Sequence, residues 1–467
     1  MMIRKERDLL GERQVPIEAY YGIHTLRAIE NFPITKTPIS IYPELIQSLA
    51  CIKQAAAKTN SDLGWLDKQK TDAIILACKR IYDGEFHDQF IVDVIQGGAG
   101  TSTNMNANEV IANVALEILG KDKGDYAYLH PNEHVNLSQS TNDVYPSALK
   151  LAACMAIKHL LVTMQELKCA FSDKSDEFVE ILKVGRTQLQ DAVPMTLGQE
   201  FGSFAETLGE DIDRLSDAVL LGLEINLGGT AIGTGINSHP EYAERVCQCL
   251  SDITGLALKT APNLVEATQD CGVFVQLSGV LKRVAVKLSK TCNDLRLLSS
   301  GPRAGFNEIN LPAMQAGSSI MPGKVNPVIP EVVNQVAYEV IGNDVTISFG
   351  AEAGQLQLNA FEPIVAHSLF KSIKHLTAAC ATLSERCVRG ITANHARLQE
   401  TVENSIGLVT ALNPYIGYRQ ATQIAKEALL ENRRVYDLVL EKKLLTADKL
   451  DDILRPETLT QPRDLNR

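Results

Sequence analysis

Apolar residues recur three and four positions apart over most of this chain, the period of helices that bury one face. Ile74, Ile75, Cys78 and Ile81 share one such face and Val110, Ile111, Val114, Leu116, Ile118 and Leu119 another, in a stretch from about 43 to 120 interrupted by the loop Gln96-Gly97-Gly98-Ala99-Gly100-Thr101-Ser102. Longer periodic stretches lie near 146–172, 196–224, 264–299 and 328–350. From Val265 to Leu298, Phe274, Leu277, Leu281, Val284, Leu288 and Leu295 keep helical spacing, which predicts a continuous rod about 50 Å long at 1.5 Å per residue. A rod of that length needs partner helices throughout, so a helical bundle is expected.

The flanks read differently. Residues 1 to about 45 carry Gly and Pro breaks, including Val15-Pro16 and the run from Phe32 to Pro38, and read as an irregular arm. From about 393 the pattern shifts to shorter charged helices broken by Asn413-Pro414, ending in the polar tail Pro456 to Arg467. The expected division is an N-terminal helical domain with its arm (1–142), a central long-helix bundle (143–392) and a small C-terminal helical domain (393–467). There is no internal repeat and no low-complexity segment.

Composition supports an all-α reading: hydrophobic residues make up 45% of the 467 positions and aromatics only 5%, a Leu-, Val-, Ile- and Ala-rich mix suited to stacked helices. Acidic residues outnumber basic ones 56 to 45, which argues against a nucleic-acid or membrane-surface binder with a general basic face. Any anion site must therefore be local. The ten cysteines are scattered through apolar patterns without paired CxxC spacing and read as buried free thiols of a reducing compartment. The charged start has no apolar h-region, and no uncharged apolar run reaches spanning length. A soluble, cytoplasmic protein is expected.

Three places break the helical pattern with small polar residues. The first, Gly97 to Glu109, is a hydroxyl- and amide-rich loop entering a helix, whose free N–H groups suit a carboxylate; a glycine turn with a generous cap explains it equally well. The second, Ser138-Gln139-Ser140-Thr141-Asn142-Asp143, precedes Val144-Tyr145-Pro146, and Pro146 fits the first turn of the next helix. One cap residue would suffice there, so the surplus of donors favours a binding site. A similar break, Gly185 to Pro194, reads as either an interhelical loop or a site.

The third, Gly317-Ser318-Ser319-Ile320-Met321-Pro322-Gly323-Lys324-Val325-Asn326-Pro327, superficially suggests a phosphate loop. That match fails: five residues, not four, separate Gly317 from Gly323, and Val325 stands where magnesium needs Ser or Thr. What remains is a mobile anion clamp. His130 and His134 are four apart, but Pro131 argues against a helical metal site, and with no second Cys/His cluster no catalytic metal is expected.

Taken in this order, the three blocks resemble the fumarase/aspartase superfamily, whose mark is the GSSxMPxKxNP loop seen from Gly317 to Pro327. The resemblance extends to the arm (Asp8 to Gly11, Ala19 to Ala28) and to Asn404–Gly417, essentially the whole chain. It implies three helical domains with a central bundle, and a homotetramer whose active sites each draw on three chains. Thr141, Gln188, Val328-Ile329-Pro330-Glu331 and His24 to Ala28 look closer to the aspartase branch than to fumarases.

The activity so implied is release of ammonia from L-aspartate to give fumarate, with the fumarase reaction on L-malate as the alternative. The resemblance implies Ser318 as the base and Thr101, Ser140, Thr141 and Ser319 as holders of the β-carboxylate. Lys324 and Asn326 would hold the α-carboxylate, and Asn142, Thr187 and Gln188 would face the amino group. No cofactor is needed for this chemistry, although a divalent cation can act as an activator. A noncatalytic structural role, to which a lens relative has been turned, would leave decayed loop chemistry, yet Ser318, Lys324 and Asn326 are all present.

Overall fold

The computed structural model describes residues 2–462; the last five positions of the polar tail, 463–467, lie outside the described residues. In chain order the main elements are β1 (Ile3–Asp8), β2 (Gly11–Pro16), α1 (Ile23–Asn31), α2 (Pro43–Asp62), α3 (Lys68–Tyr82), α4 (Thr101–Ile118) and α5 (Thr141–Glu177). Next come β3 (Leu182–Thr187), β4 (Gln190–Thr196), α6 (Leu197–Val219), α7 (Tyr242–Thr254), α8 (Leu264–Gln269), α9 (Gly272–Leu298), α10 (Val328–Glu352) and α11 (Glu362–Arg386). Six short helices close the chain: α12 (His395–Glu403), α13 (Val409–Ile416), α14 (Tyr418–Glu431), α15 (Val435–Glu441), α16 (Ala447–Ile453) and α17 (Pro456–Leu459). The class is all-α, and among the described residues strands occur only in two-stranded pieces.

The chain forms two compact units, each assembled from three separated segments: residues up to 161 with 213–283 and 338–376, and residues 162–212 with 284–337 and 377 onward. Helices α5, α6, α9, α10 and α11 contribute residues to both. In the first unit α2 packs on α3 and α7, and α3 on α4, burying Ile46, Leu49, Ile74, Cys78, Ile81, Val110, Ile111 and Val114. In the second unit the short helices share one core with the hairpin strand β3, through Val184, Val402, Leu412, Ile424, Leu438, Val439, Leu450 and Ile453.

Several expectations are corrected. The arm is not irregular: β1 and β2 pair antiparallel from Ile3↔Pro16 to Asp8↔Gly11, followed by α1. The first turn of α1 has no side-chain cap of its own; instead Glu109 of α4 accepts from the backbone N–H groups of Gly22, His24 and Thr25 at 2.8–3.1 Å, satisfying donors the helix cannot pair internally. The rod from 265 to 298 is interrupted at Asp270, whose backbone is extended (ψ 128°) and whose Oδ2 accepts from Gly272 N at 3.0 Å. The long helix is therefore α9, 27 residues or about 40 Å, with the six named apolar side chains all buried. Pro414 lies inside α13, and the break falls at Gly417, φ +78°.

Among the described residues α5 alone is long and apolar enough to cross a membrane, but more than half of its most apolar stretch is buried within the chain, as in a core helix. All ten cysteines are free thiols, eight of them buried.

The first unit also buries a carboxyl without a partner. Glu362 is 2% exposed and its Oε2 has no hydrogen-bond partner among the described residues, while neighbouring Lys150 donates to Glu224 O at 2.8 Å. Burial pushes the Glu362 carboxyl up to about 8 despite the opposing pull of Lys150. Between the ordinary value of 4.5 and about 8 the folded state therefore holds a proton the unfolded state has lost, so stability falls as pH rises through that window. Glu362→Gln, which mimics the protonated form, is expected to match the parent in thermal unfolding near pH 5 and to exceed it increasingly towards pH 9. Parallel curves would show that Glu362 is charged throughout.

Candidate active site

The first unit carries Thr101 at the start of α4 and Ser140, Thr141 and Asn142 at the start of α5, two helix starts joined by Asn104 and Thr141. Gly98, Ala99 and Gly100 all take positive φ (90°, 55° and 87°), turning the chain sharply into α4. A Cβ on Gly100 would lie 2.3 Å from the Tyr145 ring, so only glycine fits there. Thr101, exposed at the helix start, donates its hydroxyl proton to Gly98 O at 2.8 Å.

Behind this loop lies a buried polar network. Lys53, fully buried, donates to Asn136 Oδ1 at 2.8 Å and Gln139 Oε1 at 2.9 Å. Burial lowers its ammonium to about 7, with Asp143 pulling upward. Asn104 Nδ2 donates to Thr141 Oγ1 at 3.0 Å, and Asn142 N donates to Ser140 Oγ at 3.2 Å.

Each of these two hydroxyls thus accepts a fixed N–H and keeps its own proton to give. Two hydroxyl donors side by side at the first turn of a helix suit a carboxylate. Pro146 sits inside α5 rather than in its first turn, and having no N–H it cannot bond the carbonyl four residues earlier. Asn226 Nδ2 bonds that carbonyl, Asn142 O, at 3.1 Å instead.

The second unit carries the remaining expected residues. Gly185 to Pro194 is a β-hairpin, not an interhelical loop: Thr187 pairs with Gln190, and Gln188 and Leu189 between them take φ of 54° and 62°. Two left-handed residues are the signature of a type I′ turn, and a Gln-Leu pair there is strained. Thr187 and Gln188 are exposed at its tip. The hairpin base holds a buried ionic cluster: Lys183 pairs with Glu200 and lies 2.8 Å from Glu308 Oε2, while Arg186 lies 2.5 Å from Glu308 Oε1.

The loop from Gly317 is stapled at its foot, Gly317 N donating to Lys324 O at 2.8 Å and Asn326 Nδ2 to Gly317 O at 2.6 Å. At its start Ser318 Oγ accepts from Met321 N at 2.9 Å and Ile320 N at 3.2 Å. Two amides aimed at one hydroxyl oxygen stabilise negative charge there. Ser319 and Lys324 are exposed, and no hydrogen bond or ion pair joins the loop to the hairpin tip among the described residues.

The model of a family described as lyase matches residues 11–342, and that of the fumarase C C-terminus matches 408–461. The chain belongs to the fumarase/aspartase superfamily of lyases. It is 61% identical to an aspartate ammonia-lyase of Pseudomonas fluorescens over 98% of this chain and 96% of that one. Among solved structures it resembles a fumarate lyase:delta crystallin of Brucella melitensis bound to cobalt, with 54% identity, TM-score 0.96 and coverage of 99% and 100%. It also resembles a class II fumarase of Schistosoma mansoni, with 36% identity, TM-score 0.93 and the same coverages.

For this lyase, no group of three or more His, Cys, Asp or Glu side chains is placed to hold a metal ion among the described residues. His134 Nδ1 accepts from His130 N at 2.8 Å, and His130 Nδ1 from Asn132 N at 3.0 Å. Sequence reasoning missed Lys53 and Asn136, whose signal is only a Lys and an Asn in ordinary-looking positions. It also missed the stretch Gly228–Asn237 against which Asn142 rests, although glycine at 228, 229, 233 and 235 between two helices was a visible signal.

Proposed function

We propose that this lyase is an aspartate ammonia-lyase, converting L-aspartate to fumarate and ammonia. The observation that carries the reading is the environment of Ser318 Oγ, a hydroxyl oxygen receiving two backbone amides within a stapled loop. The 61% identity to an ammonia-lyase, against 36% to a fumarase, supports the amine rather than the hydroxyl as leaving group.

In the reaction Ser318, as alkoxide, takes the Cβ proton of aspartate. The electron pair moves into the β-carboxylate, giving an aci-carboxylate; its return forms the double bond and expels the amine as ammonia. General-base catalysis contributes about 10²- to 10⁴-fold, roughly 3 to 5 kcal/mol, of the 8 or more that enzymes usually supply. Charge stabilisation on the β-carboxylate must therefore be the larger share. The free hydroxyl protons of Ser140 and Thr141 are suited to that task, with Ser319 and, after rotation away from Gly98 O, Thr101. Lys324 and Asn326 are assigned to the α-carboxylate, and Asn142, Thr187 and Gln188 to the amino group.

The assembly is a homotetramer with shared sites; Thr101, Thr187, Gln188, Ser319 and Lys324 are all exposed in the single chain, as parts of a site completed by other subunits would be. No cofactor enters the chemistry, and a divalent cation acts as activator only; the Brucella relative was solved bound to cobalt. Ten free thiols support a cytoplasmic location.

Offered L-aspartate and L-malate in turn, the purified protein is expected to form fumarate, followed by its ultraviolet absorbance, from aspartate. Fumarate from malate alone would replace this reading with fumarase.

A further inference from the structure

Asn142 and Asp143 are neighbours in sequence and serve one loop in two ways. Asn142 Nδ2 donates to Ala231 O at 2.7 Å. A carbonyl only accepts, so the amide nitrogen must face the loop, and Oδ1 accepts no hydrogen bond among the described residues. Ala231 follows Thr230, whose φ is +55°. A β-branched residue in the left-handed region is a true outlier and persists only where the surroundings over-determine it.

Asp143 is what over-determines it. Its buried carboxylate accepts from Gly228 N at 3.0 Å and Thr230 N at 2.9 Å through Oδ2, and from Ser140 N at 3.0 Å through Oδ1. Gly228 is wedged so tightly that a Cβ there would lie 2.5 Å from that of Ala243. From the other side Asn226, itself held by Ser147 Oγ at 3.2 Å, bonds the carbonyl of Asn142. A loop needing only to be tied down would not require a threonine in the left-handed region; one that must aim a particular carbonyl would.

We propose that Asp143 is a positioning residue for leaving-group recognition: through the strained Thr230 it aims the Ala231 carbonyl, which turns the Asn142 amide so that its oxygen, not its nitrogen, is offered to the substrate. An amide oxygen accepts from an ammonium, whereas an amide nitrogen in its place would repel it. The inference rests on the reading above, that ammonia is the leaving group and Asn142 faces it.

The test runs the reaction backwards, with fumarate and ammonia as separate substrates. Asp143→Asn keeps the shape but must set an amide N–H against a backbone N–H, of the loop or of Ser140, and is expected to raise KM for ammonia about tenfold and KM for fumarate, through Ser140, by a clearly smaller factor. In an Asn142→Ala background the same change is expected to add nothing to KM for ammonia, because the path it acts through is gone. Should Asp143→Asn not fold, Thr230→Gly will, since glycine takes this φ without strain; the freed loop is expected to raise KM for ammonia about threefold and leave that for fumarate unmoved. Both KM values rising by the same factor, neither moving, or additive effects in the double variant would overturn the inference while leaving the ammonia-lyase reading standing. A parent enzyme unable to aminate fumarate would overturn that reading and this inference with it.

Discussion

Replacing Ser318 by alanine is expected to lower kcat by about 10³-fold, within the range a general base supplies, with aspartate affinity nearly unchanged. The split follows from geometry. The loop is held by Gly317 N to Lys324 O and Asn326 Nδ2 to Gly317 O, neither of which involves the Ser318 side chain. The amides of Ile320 and Met321 lose their acceptor, but both residues are exposed and water replaces it. The fold and the binding residues therefore survive while the proton acceptor is lost. Ser319→Ala, removing a donor to the β-carboxylate instead of the base, is expected both to lower kcat, because the charge it stabilises grows in the aci-carboxylate, and to raise KM. Steady-state kinetics with calorimetric titration of aspartate separates the two, and near-normal turnover in Ser318→Ala would end the assignment of Ser318 as base.

The second large effect is on stability. Glu308→Ala leaves Lys183, 2% exposed, and Arg186 without their shared carboxylate. Removing one partner of a buried ion pair costs about 3–5 kcal/mol, and the lower end applies here because Lys183 keeps Glu200 as a second carboxylate. The loss falls on the hairpin β3–β4, so the strained tip bearing Thr187 and Gln188 should loosen and KM for aspartate should rise. Replacing Lys183 and Glu308 together by Met and Leu is expected to recover only part of the stability: the two most deeply buried charges go together, but Glu200 and Arg186, both partly exposed, lose their partners. Urea or thermal unfolding of the single and double variants measures this. An unfolding midpoint equal to the parent's in Glu308→Ala would remove the cluster from the account of what holds the hairpin.

What could be read early was what repeats over a few residues. The buried faces of α3, α4 and α9 follow from apolar spacing alone, because a side chain three or four places on lies on the same helix face. Where chemistry overrides spacing, spacing misleads: Asp270 stops a helix that the apolar pattern would continue, and Gln188-Leu189 form a turn normally written with Asn and Gly. Pro146 was expected in a first turn because no local signal announces that Asn226, from another segment, would satisfy the carbonyl the proline leaves open.

The sequence by itself determined the helical class, the three polar breaks and the local chemistry of the 317–327 loop, whose serine is bonded by amides two and three residues away. Only the tertiary structure decided which way those groups point. Glu109 caps α1 from 87 residues away, Ala231 turns Asn142 across 89, Asp143 holds Gly228 across 85 and Glu308 holds Arg186 across 122. Such partners leave no periodic trace, since a hydrogen bond depends on where two segments meet and not on how far apart they stand in the chain. The residue types that give this lyase its chemistry are written locally, and the direction in which each gives or takes a proton is set by the fold.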